Sequence, residues 1–246
     1  MKQFLRYTVA TLAIGLSFQQ CDDPKSQAVP KNTMVVEGTV EGLRRGTLYL
    51  QKMQDTLLVA VDSVRVEGQS NFRFSTPLEH AQVYYLYLNK KDGDSLNDRI
   101  LFFGEPGKIT IDTRLKTFES SAKITGSKNQ ELLHDFYGVI RKFNNQRLDL
   151  LEAYLNAQKD EAEDLESYQA KLDQNTKRQY LYALNFATNN AAYEVAPFIV
   201  LSEIYDTQLH FLDTLANKMT PEVKTSFYGK KFVEFLEERR SAEAEE

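Results

Sequence analysis

The stretch VYYLYLN, residues 83–89, decides the first part of the fold. Alternate side chains of an extended strand point to opposite faces of its sheet. One face of this segment carries Val83, Tyr85 and Tyr87, and the other carries Tyr84, Leu86 and Leu88. Because both faces are apolar or aromatic, the pattern predicts a strand in the middle of a sheet, covered on both sides.

Seven similar runs surround this strand, rich in Val, Ile, Tyr, Phe and Thr and separated by Gly or Asp-Gly breaks. They are MVVEGTV, GTLYLQK, TLLVAVDSVRV, NFRFST, RILFFGE, KITIDT and SAKITG. The regular spacing of short strands and turns predicts an antiparallel β-sandwich or barrel-like domain over residues 33–126.

After Gly126 the apolar residues recur every three or four positions, which predicts helices. The first helix would bury Leu133, Phe136, Ile140 and Phe143, followed by Leu151 and Leu155. A second helix would run through the acidic stretch DEAEDLESYQAKL, with the acids facing water, and would break at Asn189 and Asn190.

Three shorter helices complete the prediction. The first lies around PFIVLSEIY, and the next runs from about Thr207 to Asn217. The last begins with Thr220 as N-cap and Pro221 in its first turn. Its buried face would hold Val223, Phe227, Phe232, Phe235 and Leu236. The fold class is therefore α+β, with about five helices over residues 127–240 and a flexible tail at 241–246.

The single cysteine, Cys21, follows an N-terminal segment typical of a secretory leader. Lys2 and Arg6 precede an apolar run, residues 7–18. This run is too short to span a bilayer, which requires a helix of about 20 apolar residues. Cys21 then stands where diacylglyceryl is attached in bacterial lipoproteins. We therefore predict a lipoprotein signal peptide at 1–20, lipidation of Cys21 and a polar tether at 21–32.

Two residues of this leader depart from the usual lipoprotein signal. Phe18 and Gln20 stand at the positions that usually hold Leu and a small residue. A conventional leader cut near Cys21, or a buried cysteine without function, therefore stay as alternatives. A redox role is not predicted, because a lone thiol has no CxxC partner and cannot close an internal disulfide.

No motif indicates a catalytic, metal or cofactor site. His80, His134 and His210 lie far apart, outside any metal-ligand spacing. The glycines of FFGEPGKIT lack the spacing of a phosphate loop and predict a Pro-Gly turn between strands. Asp62 and Ser63 would form a strand-end turn or buried cap, with a polar site as the alternative.

The charge of the chain argues against a nucleic-acid partner. The net charge is −5, and from Ser127 onward 14 Lys and Arg stand against 21 Asp and Glu. Phosphate binding needs clustered cations, and this half of the chain is acidic. The run of carboxylates at 160–164 is expected to keep a helix face in water rather than to hold a metal.

The order of the β motifs resembles a known family, the domain of unknown function 4369, found at the N-terminus of many envelope lipoproteins of the Bacteroidetes. The matching positions are Gly38 and Gly42, Asp62 and Ser63, Gly68 with Phe72 and Phe74, Gly104 to Ile111, and Thr125 to Ser127. Gln69 and Ser70 lengthen the turn after Gly68. The resemblance extends into the helices, to about residue 240.

The resemblance implies a cellular location and a type of role, but it does not imply a chemical reaction. Many relatives continue into a thioredoxin-like domain with a CxxC motif, which is expected to be missing here, and no catalytic residue can be carried over. The expectation is a non-catalytic outer-membrane lipoprotein, periplasmic or surface-exposed, anchored through Cys21. We expect it to bind an envelope protein, with a thioredoxin-like protein as the candidate that the resemblance suggests. A structural lipoprotein is the alternative, and an unrecognised hydrolytic enzyme a less favoured one.

Overall fold

The computed structural model describes residues 29–89, 98–159 and 165–245. Within them, the chain forms eight strands and then a set of helices, so the α+β class is confirmed. The strands are β1 Thr33–Glu41, β2 Arg45–Gln54, β3 Leu57–Glu67, β4 Asn71–Pro77, β5 Gln82–Asn89, β6 Arg99–Gly104, β7 Gly107–Arg114 and β8 Lys123–Thr125.

The described strands form two sheets of four that pack face to face. One sheet has the order β4-β1-β7-β8 and the other β3-β2-β5-β6. Their inner faces enclose one apolar core, which includes Val36, Leu48, Phe74, Leu86 and Ile111. The predicted sandwich is therefore the form that the domain takes, rather than a closed barrel.

The expectation of purely antiparallel pairing is wrong at one place. β1 and β7 pair in parallel, whereas the other described pairs are antiparallel. The two strands lie far apart in sequence, and side-chain alternation carries no information about strand direction. Gly38 permits their close approach, because a Cβ at this position would lie 1.8 Å from the backbone oxygen of Ile111.

β5, the strand of the VYYLYLN motif, lies between β2 and β6, so its central position is confirmed. Tyr84, Leu86 and Leu88 are buried in the sandwich core. On the other face, Val83 is buried in a second core, and Tyr85 packs against it. Since most of that second core comes from the helices, the sheet is covered on both sides at this strand.

Six helices follow within the described residues. They are α1 Lys128–Lys159, α2 Leu165–Asn189, α3 Val195–Glu203, α4 Leu209–Lys218, α5 Pro221–Thr225 and α6 Phe227–Glu245. Thr220 caps α5 as predicted, since its side chain accepts a hydrogen bond from the Val223 backbone N–H at 3.3 Å. α2 ends at Asn189, as predicted.

The end of the helical region differs from the prediction in two ways. The expected last helix is divided at Ser226, whose extended backbone separates α5 from α6. The Ser226 hydroxyl donates to the Val223 carbonyl at 2.7 Å and accepts from the Gly229 N–H at 3.2 Å, which satisfies groups at the break. α6 then continues to Glu245, so residues 241–245 are helical where a flexible tail is expected.

The prediction for α1 is confirmed as far as Ile140, whereas Phe143 is only half-buried and the leucines expected further along are exposed. Leu133, Phe136 and Ile140 lie in the second core. Leu151 and Leu155 are 39% and 45% exposed. α2 is the main neighbour of α1, and one neighbour covers only one stripe of a helix. Over the described residues, no helix is both long and apolar enough to cross a membrane.

Candidate functional site

Two of the sequence motifs meet at the boundary between the sandwich and the helices. Glu105 lies in the turn between β6 and β7, and Ser127 directly precedes α1. The Glu105 Oε1 atom accepts hydrogen bonds from the Ser127 hydroxyl at 2.7 Å and the Asn129 backbone N–H at 2.7 Å. The carboxylate therefore satisfies a free N–H at the start of α1, where negative charge is favoured.

Asn129 also forms hydrogen bonds to residues at the start of α3. Its Nδ2 atom donates to Glu105 at 2.8 Å and to Glu194 at 2.8 Å. Its Oδ1 atom accepts from the backbone N–H of Val195, also at 2.8 Å. Asn129 is only 3% exposed, so these bonds form in a largely buried place. We call Glu105, Ser127, Asn129 and Glu194 the joint, because they connect the β6–β7 turn to two helices.

The residue directly before Ser127 of the joint, Gly126, has to be a glycine for two reasons. Its φ is +98°, a backbone conformation that side chains with a Cβ disfavour. A Cβ there would also lie 2.1 Å from the Lys108 backbone oxygen. Lys108 itself forms an ion pair with Glu37 at 2.7 Å. The predicted Pro-Gly turn of FFGEPGKIT is confirmed, since it joins β6 to β7. Through Glu105, this turn also contacts the start of α1.

A groove opens beside this boundary, with a volume of about 820 Å³. The tip of the β2–β3 hairpin forms one wall, α6 forms the other, and β5 and α3 contribute the floor. We call it the aromatic groove. Its lining consists of Lys52, Met53, Gln54, Asp55, Gln82, Val83, Tyr85, Phe198, Leu201, Ser202, Phe227, Tyr228, Lys231, Glu234, Phe235 and Glu238.

Tyr228 is the best-anchored polar side chain of the aromatic groove. Its hydroxyl accepts a hydrogen bond from the Val83 backbone N–H at 3.2 Å. The ring centroid lies 5.0 Å from that of Phe198 and 5.8 Å from that of Phe103. Burial raises the pKa of Tyr228 to about 12, although the Val83 hydrogen bond lowers it. The phenol is thus neutral at physiological pH and suited to hydrogen bonding rather than nucleophilic attack.

The two walls combine apolar contact area with charge. Met53 at the hairpin tip is 43% exposed, and Phe227 and Phe235 on α6 are half-buried. The Lys231 ammonium lies 5.2 Å from the centroid of the Phe227 ring. Such a surface can bury apolar side chains of a bound molecule and contact polar groups at its rim.

The sequence assigned the α6 face of this groove differently. Phe227 and Phe235 are expected on the buried face of the last helix, whereas both line the aromatic groove. The spacing of the apolar residues showed that they share a helix face. The spacing could not show that a groove lies between this helix face and the hairpin tip. The groove depends on how the β2–β3 hairpin and α6, which are far apart in sequence, pack together.

The other residues considered for chemistry do not come together. His134 and His210 are exposed on different helices, and His80 lies between β4 and β5. Asp62 and Ser63 are exposed within β3, after an irregularity that leaves Val61 without a partner, so the strand-end or buried-cap prediction is wrong. The Ser63 N–H donates to the Asp62 carboxylate at 2.7 Å.

The described part of the chain contains no group of three or more His, Cys, Asp and Glu side chains that could hold a metal ion. Several predictions concern residues outside that part. They are the leader with Phe18 and Gln20, the lipidation of Cys21, and the acidic run at 160–164. These stay predictions from sequence.

Two comparisons with known proteins place this geometry in context. No curated protein matches the chain. A family model described as "Domain of unknown function (DUF4369)" matches residues 34–133. That range covers the sandwich, the Glu105–Ser127–Asn129 part of the joint and the first turns of α1. The resemblance inferred from the strand motifs is thus confirmed over residues 34–133, which match the DUF4369 family model.

Proposed function

We propose that this protein is a non-catalytic, lipid-anchored interaction module of the cell envelope, and that its aromatic groove receives a segment of a partner protein. The observation that carries this proposal is the groove itself. It lies where the hairpin tip, β5, α3 and α6 meet, and its lining combines aromatic with charged side chains. Exposed aromatic surface with a polar rim is typical of protein interaction sites.

The aromatic lining suits the binding of a protein segment. Tyr228 has a pKa raised by burial, and burial also raises the pKa of Tyr85. Both phenols therefore stay protonated near neutral pH, in the form that can both donate and accept hydrogen bonds. Aromatic side chains with a polar tip are enriched among residues that contribute most to protein–protein binding.

The location rests on the leader and on Cys21. Lipidation there would attach the chain to an envelope membrane through a tether of residues 21–32. At about 3.3–3.6 Å per extended residue, a tether of this length reaches about 40 Å. That reach allows the groove to meet a partner above the membrane. The family resemblance makes a thioredoxin-like lipoprotein the first partner to test.

Site-specific photo-crosslinking tests the groove. A photoreactive amino acid in place of Lys231, which is exposed on the groove wall, should give a discrete adduct with a thioredoxin-like lipoprotein in intact envelopes. The same replacement at Lys116, exposed between β7 and β8 and outside the groove lining, is the matched control. Equal adducts from both positions, or none from position 231, would reject the groove as the binding site and favour a structural role.

Replacing Cys21 by serine tests the anchor. A serine hydroxyl is not the acceptor for diacylglyceryl, so the variant should lose its acyl chains. Each buried CH₂ of those chains contributes about 0.8 kcal/mol to membrane binding. We expect Cys21→Ser to move the protein from the membrane pellet to the soluble fraction after ultracentrifugation. Unchanged sedimentation with membranes would show that something other than acylation of Cys21 holds the protein there.

A further inference from the structure

We propose that the aromatic groove selects a partner segment that carries an arginine or lysine side chain next to an apolar one. This inference rests on the proposed function and specifies the chemistry of the partner. It follows from three features of the groove. One wall carries two carboxylates, the Lys and Arg side chains of the same helix do not neutralise them, and aromatic rings lie beside them.

The acidic wall consists of Glu234 and Glu238 on α6. Both side chains are exposed, both line the groove, and they stand four residues apart on one face of the helix. Like charges at this spacing repel each other on a helix surface. A cation bound between them would relieve that repulsion and would also gain two opposite charges.

Three of the four basic side chains of α6 make contacts elsewhere, and the fourth, Lys230, is exposed and forms no salt bridge within the described residues. Arg239 donates to the backbone oxygens of Tyr205 at 3.0 Å and Thr207 at 3.3 Å. Arg240 forms an ion pair with Asp213. Lys231 lies against the ring of Phe227. Among the described residues, neither Glu234 nor Glu238 takes part in a salt bridge.

The aromatic surface suits the same cation. Phe235 stands between the two carboxylates in sequence, and Tyr228 on the same helix and Phe198 on α3 also line the groove. A guanidinium group stacks on aromatic rings while it donates hydrogen bonds to carboxylates. An apolar neighbour on the partner would fill the space beside the rings.

The net charge of the whole lining is negative, like that of the acidic wall. Lys52 and Lys231 are opposed by Asp55, Glu234 and Glu238, which leaves one negative charge in excess. A cationic segment is therefore favoured over an acidic one, and the preference should weaken at high salt because the groove is open to solvent.

Three blocked peptides test this chemistry. Each has two repeats separated by glycine: phenylalanine–arginine in the first, phenylalanine–glutamine in the second and phenylalanine–glutamate in the third. Isothermal titration at low ionic strength should show the arginine peptide binding about three- to tenfold more tightly than the glutamine peptide, as expected for exposed ion pairs. The glutamate peptide should bind most weakly.

Substitution of the carboxylates provides the decisive comparison. In the double variant Glu234→Gln with Glu238→Gln, the preference for the arginine peptide should fall to within about twofold. Glu237→Gln is the matched control, since Glu237 is exposed on the same helix but does not line the groove. It should leave the preference unchanged.

Three outcomes would overturn this inference: equal binding of the three peptides, a preference that survives in the double variant, or no binding of any peptide. None of them decides the proposed function, because crosslinking from position 231 reports on the partner directly. If crosslinking succeeds while the peptide preference is absent, the groove binds its partner through apolar contacts alone.

Discussion

Replacing Phe103 by alanine is expected to lower the free energy of unfolding by about 3–5 kcal/mol, the usual cost of removing a fully buried phenylalanine. Phe103 is completely buried on the outer face of β6. Its ring meets those of Phe198 on α3 and Tyr228 on α6, with centroids 5.7 and 5.8 Å away. The substitution therefore leaves a cavity between the sheet and both helices that shape the aromatic groove.

Urea unfolding measures the loss, and hydrogen exchange shows where it acts. In Phe103→Ala, the amides of α3 and α6 should exchange faster than those of β1 and β7. Phe102→Ala is the matched control, because Phe102 is equally buried but faces the sandwich core and stacks on Tyr84. A loss below about 1 kcal/mol, or equal acceleration in both variants, would contradict the assigned position of Phe103.

Asn129→Ala should be the second most damaging change, with a loss of about 2–4 kcal/mol. Asn129 makes side-chain hydrogen bonds to Glu105, Glu194 and the Val195 N–H. Alanine leaves the buried N–H of Val195 without this acceptor and removes the donor that two carboxylates share. Each such buried group costs about 1–3 kcal/mol, more where charge is involved.

Asn145→Ala serves as the control, since Asn145 lies on the same helix and is exposed. It should change the stability by less than about 0.5 kcal/mol. Comparable urea midpoints for the two variants would mean that the joint does not stabilise the contact between the sandwich and the helices. A large loss for Asn129→Ala alone would confirm that the motif residues after Gly126 have a structural role.

Much of the fold could be predicted because it depends on local pattern. The two apolar faces of residues 83–89 predicted a central strand, and β5 has this position. Thr220 with Pro221 predicted a helix start, and Thr220 caps α5. Cap residues and alternation act within a few positions of the chain, so neighbouring residues are sufficient to predict them.

The predictions from sequence fail where contacts between segments far apart in the chain determine the structure. The parallel pairing of β1 with β7 depends on how the chain passes between the two sheets. The exposure of Leu151 and Leu155 depends on which elements reach the far end of α1. Periodicity identifies a face of a helix, but the burial of that face depends on what packs against it.

The candidate site follows the same division. Its residues come from a hairpin tip, a central strand and two helices, and no short motif contains them. The sequence placed Phe227 and Phe235 on one helix face, and the structure adds the hairpin wall that turns this face into a groove. Glu105 and Ser127 belong to motifs that the sequence showed, but their contact with each other and with Asn129 and Glu194 was not predicted.

The sequence by itself determined the α+β class, the succession of strands followed by helices, and the resemblance to the family whose model matches residues 34–133. It also supplies the prediction of a lipidated Cys21. Only the tertiary structure decided the pairing of the sheets, the joint around Asn129 and the aromatic groove. The reason is physical: turns, caps and alternating patterns are set by neighbouring residues, whereas a buried hydrogen-bond network or a groove exists only after segments far apart in sequence have packed together.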